Sequence, residues 1–131
     1  MIVLDTHAWL WSFVDSGRLS RRAAAAIRRT QARGERPILS AISLAEVAAL
    51  VRAGKVTAGE PFAFWIADAI ERTSIQVHDI TVEVAARLLE IGDAVRNPAD
   101  RLIVATALEL GASLVTKDEP IREAGIVRTI W

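Results

Sequence analysis

The chain has 131 residues, a formal net charge of zero, 52% apolar residues and no cysteine. The length is that of one domain, and the apolar fraction excludes an intrinsically disordered chain. Without cysteine there is no disulfide scaffold, zinc–thiolate site, iron–sulfur cluster or cysteine nucleophile. No uncharged run reaches the roughly 20 apolar residues of a membrane helix, and Asp5 interrupts the first apolar segment, so we expect a cytoplasmic protein that does not enter a membrane.

Strands and helices are predicted to alternate along the whole chain. Apolar runs predict strands at 2–4, 37–40, 74–77, 112–116 and 126–130. Between them, apolar spacing, capping residues and glycine stops predict a short helix around Trp9 and Phe13 and further helices over 20–32, 43–53, 59–72, 81–91 and 99–110. This alternation predicts an α/β fold, a three-layer sandwich with a central parallel sheet covered by helices on both faces.

One of these helices carries a recognisable start signal. Ser43 and Glu46 have the spacing of a capping box, which places Ser43 at the helix N-cap and Glu46 in its first turn. In isolation, this pattern leaves a purely structural role for Glu46 as open as a functional one.

Four acids fall where the predicted strands and helices meet. Asp5 ends the first strand, Glu46 opens the helix after the second, Asp100 opens the helix before the fourth, and Asp118 follows the fourth. In a doubly wound sheet all four positions lie along the edge formed by the carboxyl ends of the strands. Asp5 is the hardest to explain structurally, because the sequence offers it no local partner.

The neighbours of these acids are apolar, so an isolated carboxylate there would be costly to bury. Converging carboxylates also repel one another, and a divalent cation with a preference for hard oxygen ligands, Mg²⁺ or Mn²⁺, resolves both problems. Metal held by carboxylates alone suits phosphoryl chemistry. Each acid also has an ordinary reading, as a capping, first-turn or turn residue, so the arrangement carries the signal.

Four segments together resemble one known family. They are IVLDTHA from Ile2, SAISLAEV from Ser40, PADRLIVATA from Pro98 and LVTKD from Leu114, in the same order and spacing as in the PIN-domain ribonucleases. Within that family the chain is similar to the toxins of VapBC-type toxin–antitoxin pairs. The resemblance covers nearly the whole chain and implies a single PIN-like domain over residues 1–131.

The resemblance implies a Mg²⁺- or Mn²⁺-dependent endoribonuclease that cleaves single-stranded regions of structured RNA such as tRNA or rRNA. It assigns catalysis and metal binding to Asp5, Glu46, Asp100 and Asp118, with Thr6 and Thr116 supporting the site. A metal-activated water would attack the phosphodiester in line and leave a 5′-phosphate and a 3′-hydroxyl. It also implies a homodimer and a small antitoxin whose C-terminal segment blocks the acids.

Two residues beside Asp100 qualify this picture. Relatives often have Asp where this chain has Asn97, which can still cap a helix or offer a neutral oxygen but removes one negative charge from the site. For Arg101 an ion pair with a site carboxylate is favoured over a contact with phosphate. Asn97 and Arg101 are therefore expected to support the site.

Candidate contacts with RNA or a partner lie elsewhere in the sequence. Seven arginines and one acid, Glu35, fall between Arg18 and Arg36. On the helix predicted there, residues seven apart align along one face, which is either solvated or a contact for RNA or for an acidic stretch of the antitoxin; these residues are Arg21, Arg22, Arg28 and Arg29. Trp11 lies off the face shared by Trp9 and Phe13, and could stack on a base, contact a partner or pack.

Two other functions stay open. The chain could be a degenerate PIN domain that binds without cleaving, although all four acids are present. It could also be another carboxylate–metal phosphotransfer domain. For a receiver domain Asp79 would be the phospho-acceptor, but the acid pair at the first strand is missing; a haloacid-dehalogenase-type phosphatase needs an acid where His7 stands.

Overall fold

Five parallel strands form one sheet in the computed structural model, which describes residues Met1–Trp131. The strands are β1 (Ile2–Leu4), β2 (Ile38–Ser40), β3 (Gln76–His78), β4 (Ser113–Val115) and β5 (Thr129–Ile130). Their order across the sheet is β3-β2-β1-β4-β5, so β1 lies at the centre between β2 and β4. The predicted parallel sheet is confirmed, and each strand is two or three residues long.

Seven α-helices connect the strands. They are α1 (Thr6–Phe13), α2 (Arg21–Ala32), α3 (Ala41–Arg52), α4 (Phe62–Arg72), α5 (Val82–Arg87), α6 (Pro98–Leu110) and α7 (Glu119–Ala124). Six of them were predicted, and α6 ends as predicted at Gly111, whose φ of 59° is in the left-handed region that glycine tolerates. None of the helices is both long and apolar enough to cross a membrane.

Alternating side chains of the central strands divide the core into two layers. Ile2 and Leu4 belong to one apolar cluster and Val3 to the other, because successive side chains of a strand point to opposite faces. Trp9 lies fully buried in the first layer, and Ile103 lies fully buried in the second. The three-layer sandwich predicted from the alternation of elements is therefore confirmed.

Trp9 and Phe13 share one face of α1, as their spacing predicted. Their ring centroids are 5.1 Å apart, and the indole N–H of Trp9 donates to the Thr73 hydroxyl at 3.0 Å. This bond satisfies the polar group of a fully buried side chain and fixes α1 against the end of α4. The residues that follow β1 are thus held rigidly at the edge where the strands end.

The helix after β2 begins earlier than predicted. α3 starts at Ala41, and its N-cap is Ser40, whose hydroxyl accepts a hydrogen bond from the Ile42 N–H at 3.3 Å. The prediction of a capping box at Ser43 and Glu46 is wrong, because Ser43 is buried inside the helix and Glu46 lies in its second turn. This shift frees both side chains for contacts outside the helix terminus.

Candidate active site

A cavity of about 760 Å³ opens at the edge of the sheet where β1 and β4 end. Its lining includes all four acids singled out in the sequence: Asp5, Glu46, Asp100 and Asp118. The expected convergence of these carboxylates is thus confirmed by the fold. The parallel topology causes it, because the loops that leave the carboxyl ends of parallel strands share one edge.

Asp5 is the most buried of the four and is held by its own helix. Its side chain is the N-cap of α1 and accepts a hydrogen bond from the Ala8 N–H at 2.7 Å, so the view that it lacks a local partner is wrong. Burial raises the pKa of Asp5, while hydrogen bonds from Thr116 and Ala8 counteract this rise. Asp5 is therefore fixed in place, with its charge partly satisfied by the protein.

Glu46 is oriented by two hydroxyl groups. The Thr6 hydroxyl lies within hydrogen-bonding distance of the Glu46 carboxylate and 2.8 Å from the Ser43 hydroxyl. A carboxylate only accepts and Thr6 has a single hydroxyl hydrogen, so Thr6 donates to Glu46 and Ser43 donates to Thr6. Ser43, which the sequence assigned to a cap, is instead the buried end of a chain of hydrogen bonds that aims Glu46.

Asp100 and Asn97 form the start of α6. The Asn97 side-chain oxygen accepts from the N–H groups of Ala99 at 2.9 Å and Asp100 at 3.3 Å, so Asn97 is the cap that its residue type allows. Burial raises the pKa of Asp100 to about 6, with further contributions from the charges of Asp118, Glu46 and Asp5. Asp100 is therefore the carboxyl whose pKa is raised by the charges of all three other acids, in addition to its burial.

Asp118 begins a helix that the sequence did not predict. Its side chain accepts from the Ile121 N–H at 2.9 Å and so caps α7, while its own N–H donates to the Thr116 hydroxyl at 3.0 Å. Thr116 is fully buried and bonds the Asp5 carboxyl, so it links two of the acids. An acid followed at once by Glu119 and Pro120 is the available signal for a short capped helix.

Arg101 does not pair with a site carboxylate, and that expectation is corrected. Its guanidinium donates to four backbone carbonyls, those of Leu88 at 3.3 Å, Ile91 at 3.0 Å, Gly92 at 2.8 Å and Val95 at 2.8 Å. Adjacent residues of a helix point about 100° apart, so Arg101 projects away from Asp100. It supports the site only indirectly, by holding the segment that leads into α6.

The exposed arginines of α2 lie outside the cavity. None of Arg21, Arg22, Arg28 and Arg29 lines it or forms an ion pair, and Arg28 lines a separate cavity of about 400 Å³. Their contact with RNA or a partner stays a prediction. Trp11, by contrast, is partly buried in the wall of the acid-lined cavity, together with Arg18, Lys55 and Lys117, which the sequence did not single out for this place.

The acid cluster has the donor chemistry of a hard-cation site but is not a closed ligand set. No group of three or more His, Asp or Glu side chains has a geometry ready to hold a metal ion. Three of the four carboxylates instead accept hydrogen bonds from the protein, donated by Ala8, Thr6 and Ile121. Their oxygen-only donors are nevertheless the ligand type that a hard divalent cation such as Mg²⁺ or Mn²⁺ prefers.

Comparison with known proteins identifies the family of this chain. The model of the PIN domain matches residues 2–127 of the chain. The chain belongs to the PIN-domain family. It is 33% identical over 133 residues to Ribonuclease VapC22 of Mycobacterium tuberculosis, and the match covers 99% of this chain and 98% of that protein. The resemblance found in the sequence is thus confirmed.

Solved structures support the same fold. VapBC2 from Rickettsia felis, bound to a DNA fragment from its promoter, matches with a TM-score of 0.70 and 15% identity over 98% of this chain and 97% of that one. FitAcB from Neisseria gonorrhoeae matches with a TM-score of 0.65 and 21% identity over 98% and 96% of the two chains. At these identities the two structures support the PIN fold of this chain.

Proposed function

We propose that this PIN-domain protein is a divalent-metal-dependent endoribonuclease and the toxin of a type II toxin–antitoxin pair. The observation that carries the proposal is the single cavity lined by Asp5, Glu46, Asp100 and Asp118 in a chain related to Ribonuclease VapC22. Its substrate is RNA with single-stranded regions in a folded molecule, such as tRNA or rRNA. A small antitoxin and a second copy of the chain are its partners.

The four carboxylates would hold Mg²⁺ or Mn²⁺ at the floor of the cavity. The cation, when bound, neutralises phosphate charge and lowers the pKa of water at the scissile phosphodiester. The protein's own groups set the geometry: Ala8 and Thr116 fix Asp5, Thr6 aims Glu46, and the start of α7 fixes Asp118. Hydrolysis leaves a 5′-phosphate and a 3′-hydroxyl and makes no use of the ribose 2′-hydroxyl.

The alternatives find less support in the structure. β3 is an edge strand separated from β1 by β2, and Asp79 is exposed and does not line the acid cavity. A receiver domain that uses Asp79 as its phospho-acceptor is therefore excluded by the strand order. A degenerate, non-cleaving domain is disfavoured, because the four carboxylates share one cavity, in which burial and the neighbouring charges raise the pKa of Asp100. A domain that does not cleave would not need this cluster of acids.

The test is RNA cleavage by protein freed of any bound antitoxin. We expect discrete fragments from total bacterial RNA with Mg²⁺ or Mn²⁺, none with EDTA, and none with Asp118→Asn. Asparagine keeps an oxygen that can cap α7, so this variant removes the charge without removing the helix start. Asp68→Asn, which removes an exposed carboxylate paired with Arg72 on α4, is the matched control and should cleave normally.

Cleavage by Asp118→Asn at the wild-type rate would refute the acid site. If the wild type does not cleave, calorimetric titration with Mn²⁺ separates a missing substrate from a degenerate domain, because a degenerate site does not bind the cation. Growth arrest on expression, relieved by co-expression of the neighbouring short reading frame, tests the toxin role separately from the chemistry.

A further inference from the structure

The cavity continues beyond the four acids along one face of α1. Its far wall carries Trp11, Val14 and Arg18, and Lys55 and Lys117 also line the cavity. At about 760 Å³ it is much larger than a site for one cation and a phosphate group needs to be. The rest of the lining differs from the acidic floor, since it combines an indole with three cations and one further acid, Asp15.

Trp11 is the centre of this second region. The guanidinium carbon of Arg18 lies 4.7 Å from the centroid of its ring, and the ammonium nitrogen of Lys117 lies 5.8 Å from it. Both distances are within the range of a cation–π contact. Neither cation forms an ion pair with a carboxylate, so their charges remain available to an anion that enters the cavity.

Lys117 connects this region to the acids because it lies next to Asp118 in the sequence. It stands between Thr116, which bonds Asp5, and Asp118, which lines the acidic floor. The helix α1 also connects the Trp11 indole to the acids, because His7 follows Asp5 by two residues and its ring centroid lies 5.5 Å from that of Trp11. Trp11 and the four carboxylates line the same cavity, so a ligand on Trp11 shares that cavity with the acidic floor.

We propose that Trp11, Arg18 and Lys117 form a nucleotide subsite, in which a base of single-stranded RNA displaces the Arg18 guanidinium and stacks on the indole of Trp11, while the flanking phosphates pair with the two cations. An acidic floor repels a phosphodiester, so a nuclease of this kind needs cations and an aromatic platform beside the floor to retain the strand. An acidic side chain would satisfy the cations but would bring no ring to the indole face. A nucleotide supplies both partners, which is why RNA is favoured over a protein ligand.

The test measures binding and does not require cleavage. The probe is a random-sequence single-stranded RNA of about 12 nucleotides, a length within the usual site sizes, carrying 2-aminopurine as a reporter of stacking. Binding is followed in the Asp118→Asn background, so the RNA stays intact. Trp11→Leu should weaken binding about five- to 150-fold and abolish quenching of the reporter, whereas Trp11→Phe, which keeps an aromatic face, should retain most of both.

The cations and the indole are distinguished by salt dependence. Arg18→Gln or Lys117→Gln should each lower the slope of log affinity against log salt concentration by about 0.7, the value for one phosphate contact on a single strand. Trp11→Leu should leave that slope unchanged. This contrast separates a stacked base from a general loss of the binding surface.

Trp131→Leu is the matched control for a packing role. The Trp131 ring lies 5.8 Å from that of Trp11, so the indole could merely hold the end of the chain. In that case Trp131→Leu would weaken RNA binding as much as Trp11→Leu does, and the proposal would be overturned. The proposal requires Trp131→Leu to bind RNA nearly as well as the parent protein.

The inference rests on the proposed ribonuclease function, but the two can fail separately. If Trp11→Leu leaves affinity and quenching unchanged while Asp118→Asn still abolishes cleavage, the subsite is wrong and the nuclease stands. If Trp11→Leu leaves RNA binding unchanged but releases a co-purifying protein, the surface is a protein contact and the subsite is again wrong. Trp11-dependent RNA binding by a protein that neither cleaves RNA nor binds Mn²⁺ would support the subsite and refute the nuclease.

Discussion

Asp100→Asn tests the electrostatics of the acid cavity. Burial, and after it Asp118, Glu46 and Asp5, raise the pKa of Asp100 from 3.8 to about 6. Since one pKa unit corresponds to about 1.36 kcal/mol, the ionised carboxylate costs the folded protein at most about 3 kcal/mol. The side chain is only partly buried and water screens part of this cost, so we expect about 1–2 kcal/mol.

The sign follows from the two states. The folded protein keeps the Asp100 proton up to a pH of about 6, whereas the unfolded chain releases it near the usual value of 3.8. Wild-type stability therefore falls as the pH rises from about 4 to about 6 and stays at the lower level above that. Asp100→Asn lacks the charge and should be more stable than the wild type at neutral pH, by a margin that shrinks towards pH 4.

The assay is urea unfolding of the metal-free protein across this pH range. At neutral pH the variant should exceed the wild type by about 1–2 kcal/mol, which in a domain of this size raises the melting temperature by about 3–8 °C. Adding Mn²⁺ should reverse the order, because a ligand stabilises the state that binds it and the wild type has the fuller ligand set. Asp68→Asn should show neither effect.

Two results would refute this reasoning. The first is a variant no more stable than the wild type at neutral pH, which would mean that neither burial nor the neighbouring acids penalise the ionised Asp100 carboxylate. The second is equal stabilisation of both proteins by Mn²⁺, which would place the cation away from Asp100.

Two further substitutions test how the site is supported. Arg101→Lys should lower the free energy of unfolding, measured with urea, by about 2 kcal/mol. The reason is that lysine cannot reach all four of the carbonyls that Arg101 binds, those of Leu88, Ile91, Gly92 and Val95. Unchanged stability would favour an ion-pairing role, which lysine can share. Ser43→Ala should slow RNA cleavage at saturating substrate without weakening RNA binding, because Thr6 loses the donor that orients it towards Glu46. Ser40→Ala, which removes the actual cap of α3, should cost about 1 kcal/mol of stability and leave the cleavage rate of the folded protein unchanged.

The positions of the acids along the chain were enough to predict that they would meet. Asp5 and Asp118 follow strands and Asp100 opens a helix, so their convergence depends on the order of elements and on parallel pairing. The prediction is confirmed although the N-cap of α3 was predicted three residues too late, at Ser43 instead of Ser40. Glu46 still reaches the cavity, because a residue in the second turn of a helix remains close to the strand end from which that helix leaves.

Side-chain partners could not be predicted in the same way. Arg101 stands beside an acid in the sequence, but the helix turns its side chain towards carbonyls that lie six to 13 residues earlier. The neighbours of Trp11 come from three segments, around Arg18, Lys117 and Trp131, and only the folded chain brings them together. The helix α7 was missed because its six residues include only one buried apolar side chain, Ile121, and so show no helical period.

Helix termini explain how one cavity tolerates four carboxylates before a cation binds. Asp5 and Asp118 each cap a helix through one oxygen, and Glu46 accepts from Thr6, so three of the acids receive hydrogen bonds from the protein that offset part of the cost of placing them together. The positive ends of α1 and α7 add to this effect, which leaves the remaining oxygens available in the cavity. Asp100 accepts no hydrogen bond from the protein, because Asn97 takes the cap of α6, and it is also the acid whose pKa rises to about 6. Burial raises the pKa of both Asp5 and Asp100, but only Asp100 lacks a hydrogen bond from the protein to offset that rise, so a bound cation would supply the compensation that the fold does not give it.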